Sequence, residues 1–363
     1  MRTSWFSGPG LVSVVEVDDP VILDARDAVV DIDYAAICGS DLWAYRGLVP
    51  KAPGSTGHEF IGRVREVGHA VTGFAPGDSV IAPFVYSEGS CAECRRGLQP
   101  FCAEAGLWGK DGPGAQAERI RVPFADATLV GLPWAADEID VTLARKLLPL
   151  ADVYATGTHG AALAEVGVGD TVAVIGDGAV GIAAASAARA RGAGRVVLLG
   201  EQDSRLQIAS GFGVETLKVQ RDEPAAERFL DLNGGVRADC VIECVGLQAS
   251  FDTAIDLVRP GGRLGFVGVP HGVAALPPMT VFNRGMHLAG GTAPARHYLP
   301  RLVSDVREGR LDPSPLIDTV HPLDAVAQGF DDMHSGRALK VLLTIRPQPV
   351  RRVDVLSSNH GGG

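Results

Sequence analysis

The chain has 363 residues, more than one ordinary core accommodates, and fits two domains of roughly 150 to 200 residues each. Its 46% hydrophobic and 21% charged residues are globular proportions and exclude a mainly disordered chain. A formal net charge of −10 argues against nucleic acid or an anionic membrane surface as partner, and no apolar run approaches the roughly 20 residues that span a bilayer.

The first 150 residues read as short strands between Gly, Pro and Asp turns, with β-branched apolar runs at 28–37, 62–67 and 79–85. From about Thr171 the texture becomes apolar strand, Gly turn, then Ala-rich helix: Val172 to Ile175, then Val180 to Arg191. Further strand-length runs at 196–199, 240–243 and 264–267 make four strands suited to a parallel sheet. Helical stretches follow at 298–308 and 325–334, and a last strand at 340–345 is placed to return to the first domain. The expected fold is α/β, a β-rich discontinuous domain (1–153 and 293–345) plus a Rossmann-type parallel-sheet domain (154–292). The ending 346–363, with two prolines and a Gly triplet, reads as a loose tail.

Gly176-Asp177-Gly178-Ala179-Val180-Gly181 follows a strand and opens a helix, the context that a dinucleotide fingerprint requires. The first Gly permits the tight turn, the second lets backbone approach pyrophosphate, and the third lets helix pack on strand. The N-terminus of that helix receives the phosphates. At the end of the next strand, where an acidic residue ordinarily binds the adenosine ribose, the chain has Gly200 followed by Glu201. The choice between NAD and NADP stays open there. NAD is favoured because no Arg lies between Gly200 and Ser204, although Arg205 remains within reach of an adenosine phosphate.

The six cysteines read as metal ligands or buried thiols, because the start, Met1-Arg2-Thr3-Ser4-Trp5, has no signal-peptide apolar stretch and the expected location is the cytoplasm. Cys38-Gly39-Ser40-Asp41 and Gly57-His58-Glu59 bring a thiolate, an imidazole and a carboxylate into turn-like segments, all ligands that zinc accepts. Cys240 and Cys244 lie in and just after a strand of the nucleotide domain and read as packing residues.

Taken together, the segments 37–41, 57–62, 67–68 and 76–80, the cysteine-rich lobe and Gly176 to Gly181 resemble the zinc-containing medium-chain alcohol dehydrogenase family over roughly residues 1 to 345. Its β-rich domain is GroES-like. The resemblance implies that Cys38 and His58 are catalytic zinc ligands, that Asp152 takes the third position, and that Glu59 stands beside the metal. It implies a structural zinc in the lobe Cys91, Cys94 and Cys102, with Glu88 in place of a missing first cysteine. Thr156 and Val267-Gly268-Val269 would line the nicotinamide, and Lys340 would lie near the pyrophosphate. Ser40 matches the hydroxyl that starts a proton relay, but Trp43 stands where some relatives end the relay with His, and Trp cannot shuttle a proton. Trp43 and Trp108 are each candidates for pocket or core.

The implied activity is hydride transfer between a primary or secondary alcohol and NAD or NADP, by a homodimer or homotetramer. A polyol or sugar dehydrogenase is the nearest rival. A zinc-free quinone reductase is disfavoured by Cys38, His58 and Asp152, and fold alone does not exclude a non-catalytic dinucleotide-binding protein.

Overall fold

The computed structural model describes residues 1–220, 223–271 and 273–346. The tail expected at 346–363 therefore lies outside the described residues, apart from Arg346, whose guanidinium meets Asp31 Oδ1 at 2.5 Å.

The β-rich part is built around the ten-residue strand Ala28–Ile37, buried along most of its length because apolar side chains occupy both of its faces. It pairs antiparallel with Glu59–Val67 on one side and with Val341–Thr344 on the other. The chain thus returns, after some 300 residues, to complete the sheet it began. The path of this sheet runs Val130–Gly131, Ser79–Ala82, Glu59–Val67, Ala28–Ile37, Val341–Thr344 and Thr319–Pro322. Strand Arg119–Val122 also pairs with Ala28–Ile37.

The second sheet is wholly parallel and six-stranded, two more strands than the sequence suggested. Its spatial order is Glu215–Lys218, Arg195–Gly200, Thr171–Ile175, Ala238–Glu243, Val258–Phe266, His287–Gly290. In sequence terms that is 3-2-1-4-5-6, the doubly wound order whose reversal between the first and fourth strands opens a crevice for a dinucleotide. The two unforeseen strands are the outer ones. Their residues are half-buried or exposed, so no apolar run announces them.

Helix Val153–Leu163 joins the two parts. A side chain at Gly157 would lie 2.4 Å from the backbone nitrogen of Ala184, in helix Ala179–Ala190, so only Gly allows the two helices to approach this closely. Among the described residues no helix is long and apolar enough to cross a membrane.

Candidate functional site

Strand register assembles the first cluster. Ala36 pairs with Glu59 and Ile37 with Val341, so Cys38, His58 and Lys340 all emerge at the same end of three adjacent strands. Cys38 leaves its strand into a turn closed by Asp41, whose Oδ2 accepts the Cys38 N–H at 3.0 Å. Asp152 arrives from elsewhere in the chain, at the break between the turn Leu148–Ala151 and helix Val153–Leu163.

Ligand atoms of Cys38, His58, Glu59 and Asp152 all lie within 4.8 Å of one another, and all four residues are buried. The individual separations are 3.2 Å for Cys38 Sγ to Asp152 Oδ2, 3.1 Å for His58 Nε2 to Asp152 Oδ2 and 3.9 Å for His58 Nε2 to Glu59 Oε1. Tetrahedral zinc with bonds of 2.0–2.3 Å sets its ligands about 3.3–3.8 Å apart, so these separations come within a few tenths of an ångström of zinc dimensions. Glu59 Oε2 is buried with no hydrogen-bond partner, as expected of an oxygen whose partner is a cation.

Charge supports the same reading. Burial pushes the Cys38 thiol up, and the Asp152 carboxylate pushes it further, so a thiolate here calls for more positive charge than the side chains supply. Burial also pushes the Asp152 carboxyl up, but the bond from His58 and the charges of His58 and Lys340 outweigh it and hold the group at about 2. Asp152 is thus ionised at neutral pH.

Residues around the donors hold them in place. Asp41 Oδ1 lies 3.5 Å from His58 Nδ1, which leaves Nε2 turned to the cluster, and Thr156 Oγ1 donates to Asp152 Oδ1 at 3.0 Å. Gln116 Nε2 donates to the Ala36 carbonyl at 3.1 Å and lies 3.5 Å from Asp41 Oδ2. Ser40 Oγ lies 3.5 Å from His58 Nε2. Asp41 and Gln116 were not singled out from sequence. Asp41 carried a faint signal, an acid three residues after a candidate ligand, whereas Gln116 carried none.

Lys340, expected near the pyrophosphate, lies against the first cluster. Its side chain is 1% exposed, and Nζ donates to Glu59 Oε1 at 2.6 Å and to the Ile37 carbonyl at 3.4 Å. Burial opposes its charge, but Glu59, Cys38 and Asp152 outweigh burial and keep it an ammonium. This burial leaves almost none of its surface for a bound cofactor. Trp108 is core: it is 1% exposed, donates Nε1–H to the Pro83 carbonyl at 2.8 Å and meets Phe60 edge-on. Trp43 is half-buried, its ring 4.6 Å from that of His271.

The second cluster is Glu88, Cys91, Cys94 and Cys102, again with ligand atoms within 4.8 Å of one another. Backbone N–H groups point at two of its sulfurs, Cys94 N to Cys91 Sγ and Glu104 N to Cys102 Sγ, both at 3.4 Å. Glu88 accepts from Ser90 N at 2.9 Å, from Ser90 Oγ at 2.5 Å and from Cys91 N. Cys240 and Cys244 lie in neither cluster, and Cys240 is buried in its strand.

At the nucleotide crevice, Gly176 has φ +109°, and a Cβ at Gly181 would fall 1.8 Å from the Gly176 carbonyl oxygen, so helix and turn pack as the fingerprint demands. A Cβ at Gly178 would meet no protein atom within 4 Å. That open space lies before the helix that begins with Ala179 and Val180, where a phosphate would sit. Gly200, Glu201 and Arg205 cluster at the end of the adjoining strand, with Arg205 Nη1 3.6 Å from Asp177 Oδ1. The Val267 and Gly268 N–H groups donate to the Glu243 carbonyl at 3.0 and 3.2 Å, and Val269 is 54% exposed.

Comparison with known proteins agrees with this geometry. Residues 24–133 match the alcohol dehydrogenase GroES-like domain family, and residues 179–308 match the zinc-binding dehydrogenase family. The chain is 33% identical over 351 residues to zinc-type alcohol dehydrogenase B of Aspergillus flavus, covering 94% of this chain and 81% of that one. The solved alcohol dehydrogenase TADH of Thermus sp. ATN1 superposes with a TM-score of 0.87 at 32% identity, covering 95% of this chain and 100% of that one. A solved NAD-dependent alcohol dehydrogenase gives a TM-score of 0.81 at 27% identity, with coverage of 95% and 100%.

Proposed function

Since the chain belongs to the zinc-containing medium-chain alcohol dehydrogenases, and is a zinc-dependent alcohol oxidoreductase using a nicotinamide dinucleotide, we propose that Cys38, His58 and Asp152 hold its catalytic zinc. The observation that carries this assignment is the convergence of four buried donors within 4.8 Å, one of them with an orphaned oxygen. When bound, zinc supplies the Lewis acidity that lowers the pKa of a substrate hydroxyl, and the dinucleotide supplies the hydride acceptor.

The chain's own residues supply position and proton handling. Asp41 fixes the His58 ring, Thr156 fixes the Asp152 carboxylate, and Lys340 anchors Glu59 through its Oε1. Ser40, exposed beside His58, takes the first position of the proton path, and Trp43 obliges that path to leave by another route. Gly176, Gly178 and Gly181 with Ala179 and Val180 receive the pyrophosphate, while Thr156 and Val267-Gly268-Val269 line the nicotinamide. Gly200, Glu201 and Arg205 border the adenosine ribose, and NAD is the cofactor because Arg205, in the first turn of the next helix, is drawn to Asp177. A structural zinc is held by Glu88, Cys91, Cys94 and Cys102.

The remaining assignments follow the same reading. Residues 1–153 and 293–345 form the catalytic domain and 154–292 the nucleotide domain. The enzyme works in the cytoplasm, and as a homodimer or homotetramer, for which the edge strand His287–Gly290 and the exposed Met279 and Phe282 of the preceding helix give support. The substrate is a simple primary or secondary alcohol. With zinc-loaded enzyme, primary and secondary alcohols are expected to reduce the dinucleotide with higher kcat/KM than polyols or sugars. Turnover confined to polyols would replace the simple-alcohol assignment, and no turnover with either class would remove it.

A further inference from the structure

The strand Arg195–Gly200 ends on glycine where an acidic side chain ordinarily recognises the adenosine ribose of NAD. The reason lies in the glycine turn beside it. A Cβ at Gly200 would fall 2.5 Å from Asp177 Cβ and 2.8 Å from Asp177 Oδ2. Asp177, the second residue of the turn Gly176 to Gly181, therefore occupies the space into which a side chain at the strand end would project.

Its hydrogen bonds decide what else fits there. Asp177 Oδ2 accepts the backbone N–H groups of Glu201 and Gln202, both at 2.8 Å, and Oδ1 faces Arg205 Nη1 at 3.6 Å. Two consecutive N–H groups and a guanidinium are the donors that a 2′-phosphate would need, and one carboxylate already engages all three. A phosphate brought to the same place would meet that carboxylate's charge. A ribose 2′-hydroxyl would instead find an acceptor, because the 3.6 Å separation from Arg205 leaves Oδ1 with lone pairs to offer. The side chain is 12% exposed, so it is reachable from the crevice.

We propose that Asp177 sets the cofactor preference, through a carboxylate delivered from the glycine turn instead of the strand end, which accepts the ribose 2′-hydroxyl of NAD and rejects the 2′-phosphate of NADP. This rests on the reading of the chain as an NAD-using dehydrogenase. It also explains Gly200: with the carboxylate supplied from residue 177, any larger residue at 200 collides with it.

The test is binding, measured by calorimetry on the zinc-loaded enzyme and on D177N, D177G and D177G/G200D. The probes are NAD, NADP, 5′-AMP and adenosine 2′,5′-bisphosphate, and the melting temperature of each variant reports its folding. The wild type is expected to bind NAD about 100-fold more tightly than NADP, and D177N and D177G to narrow that ratio about tenfold or more. The pair 5′-AMP and adenosine 2′,5′-bisphosphate should follow the same trend. D177G/G200D removes the obstructing Cβ, returns a carboxylate from the strand side and is expected to restore the ratio. A wild type that favours NAD with D177N and D177G ratios unchanged would overturn the role of Asp177 and leave the NAD assignment standing. Variants that weaken both cofactors equally, with no restoration in the double variant, would reduce Asp177 to a turn-capping residue. A wild type that binds NADP as tightly as NAD would remove the NAD assignment and this proposal together.

Discussion

Asp152→Ala is expected to lower kcat/KM by about 10³-fold or more, since Lewis-acid stabilisation of several kcal/mol is lost at 1.36 kcal/mol per decade of rate. Cys38→Ala should do the same. Each variant should lose one zinc per chain while still binding dinucleotide, because Gly176 to Gly181 belongs to a different sheet from Cys38. Thr156→Val is the graded control: its hydroxyl holds Asp152 Oδ1 at 3.0 Å, and loss of such a support costs about 10–100-fold in metal affinity. Activity of Thr156→Val should therefore recover when zinc is raised, whereas that of Asp152→Ala should not. Near-normal turnover in Asp152→Ala would remove Asp152 from the ligand set.

Lys340→Met is expected to destabilise the fold by about 3–5 kcal/mol, the cost of leaving one member of a buried ion pair uncompensated. Lys340 and Glu59 are 1% and 0% exposed, so water cannot replace the lost partner, and nearby Asp152 adds repulsion. The reading is the shift of a denaturation midpoint at constant slope. In the pair Lys340→Met/Glu59→Gln most of the loss should return, because no unpaired charge remains. A Lys340→Met variant within about 1 kcal/mol of wild type would show the pair to be energetically idle, as exposed ion pairs usually are.

How much of this could be read from the chain alone varied with the kind of interaction. Buried strands such as Ala28–Ile37 and Thr171–Ile175 are β-branched runs between turns, and their local pattern sufficed. Glu215–Lys218 and His287–Gly290 were missed because an outer strand is held by its ladder more than by burial and can read E-T-L-K. Cys38, His58 and Asp152 were legible as residue types within motifs. What joins the first two is the register of Ala36 on Glu59, and what brings Asp152 to them is the start of helix Val153–Leu163, tertiary facts that no local spacing carries. Lys340 was legible as a basic residue, but its partner lies 281 positions away. Asp177 stood in plain view as a variable position of the fingerprint. Its meaning appears only when Gly200 is brought within 2.5 Å of it. Trp108 read equally as pocket or core until its N–H was found satisfied by Pro83.

Whether Cys38, His58 and Asp152, with Glu59 beside them, form a working zinc site is tested most directly by zinc per chain from elemental analysis, paired with alcohol-dependent dinucleotide reduction before and after chelation. Two zincs per chain are expected in the untreated protein, with activity lost as the catalytic ion is removed and regained when zinc is returned. Full activity in protein stripped of zinc would contradict this expectation.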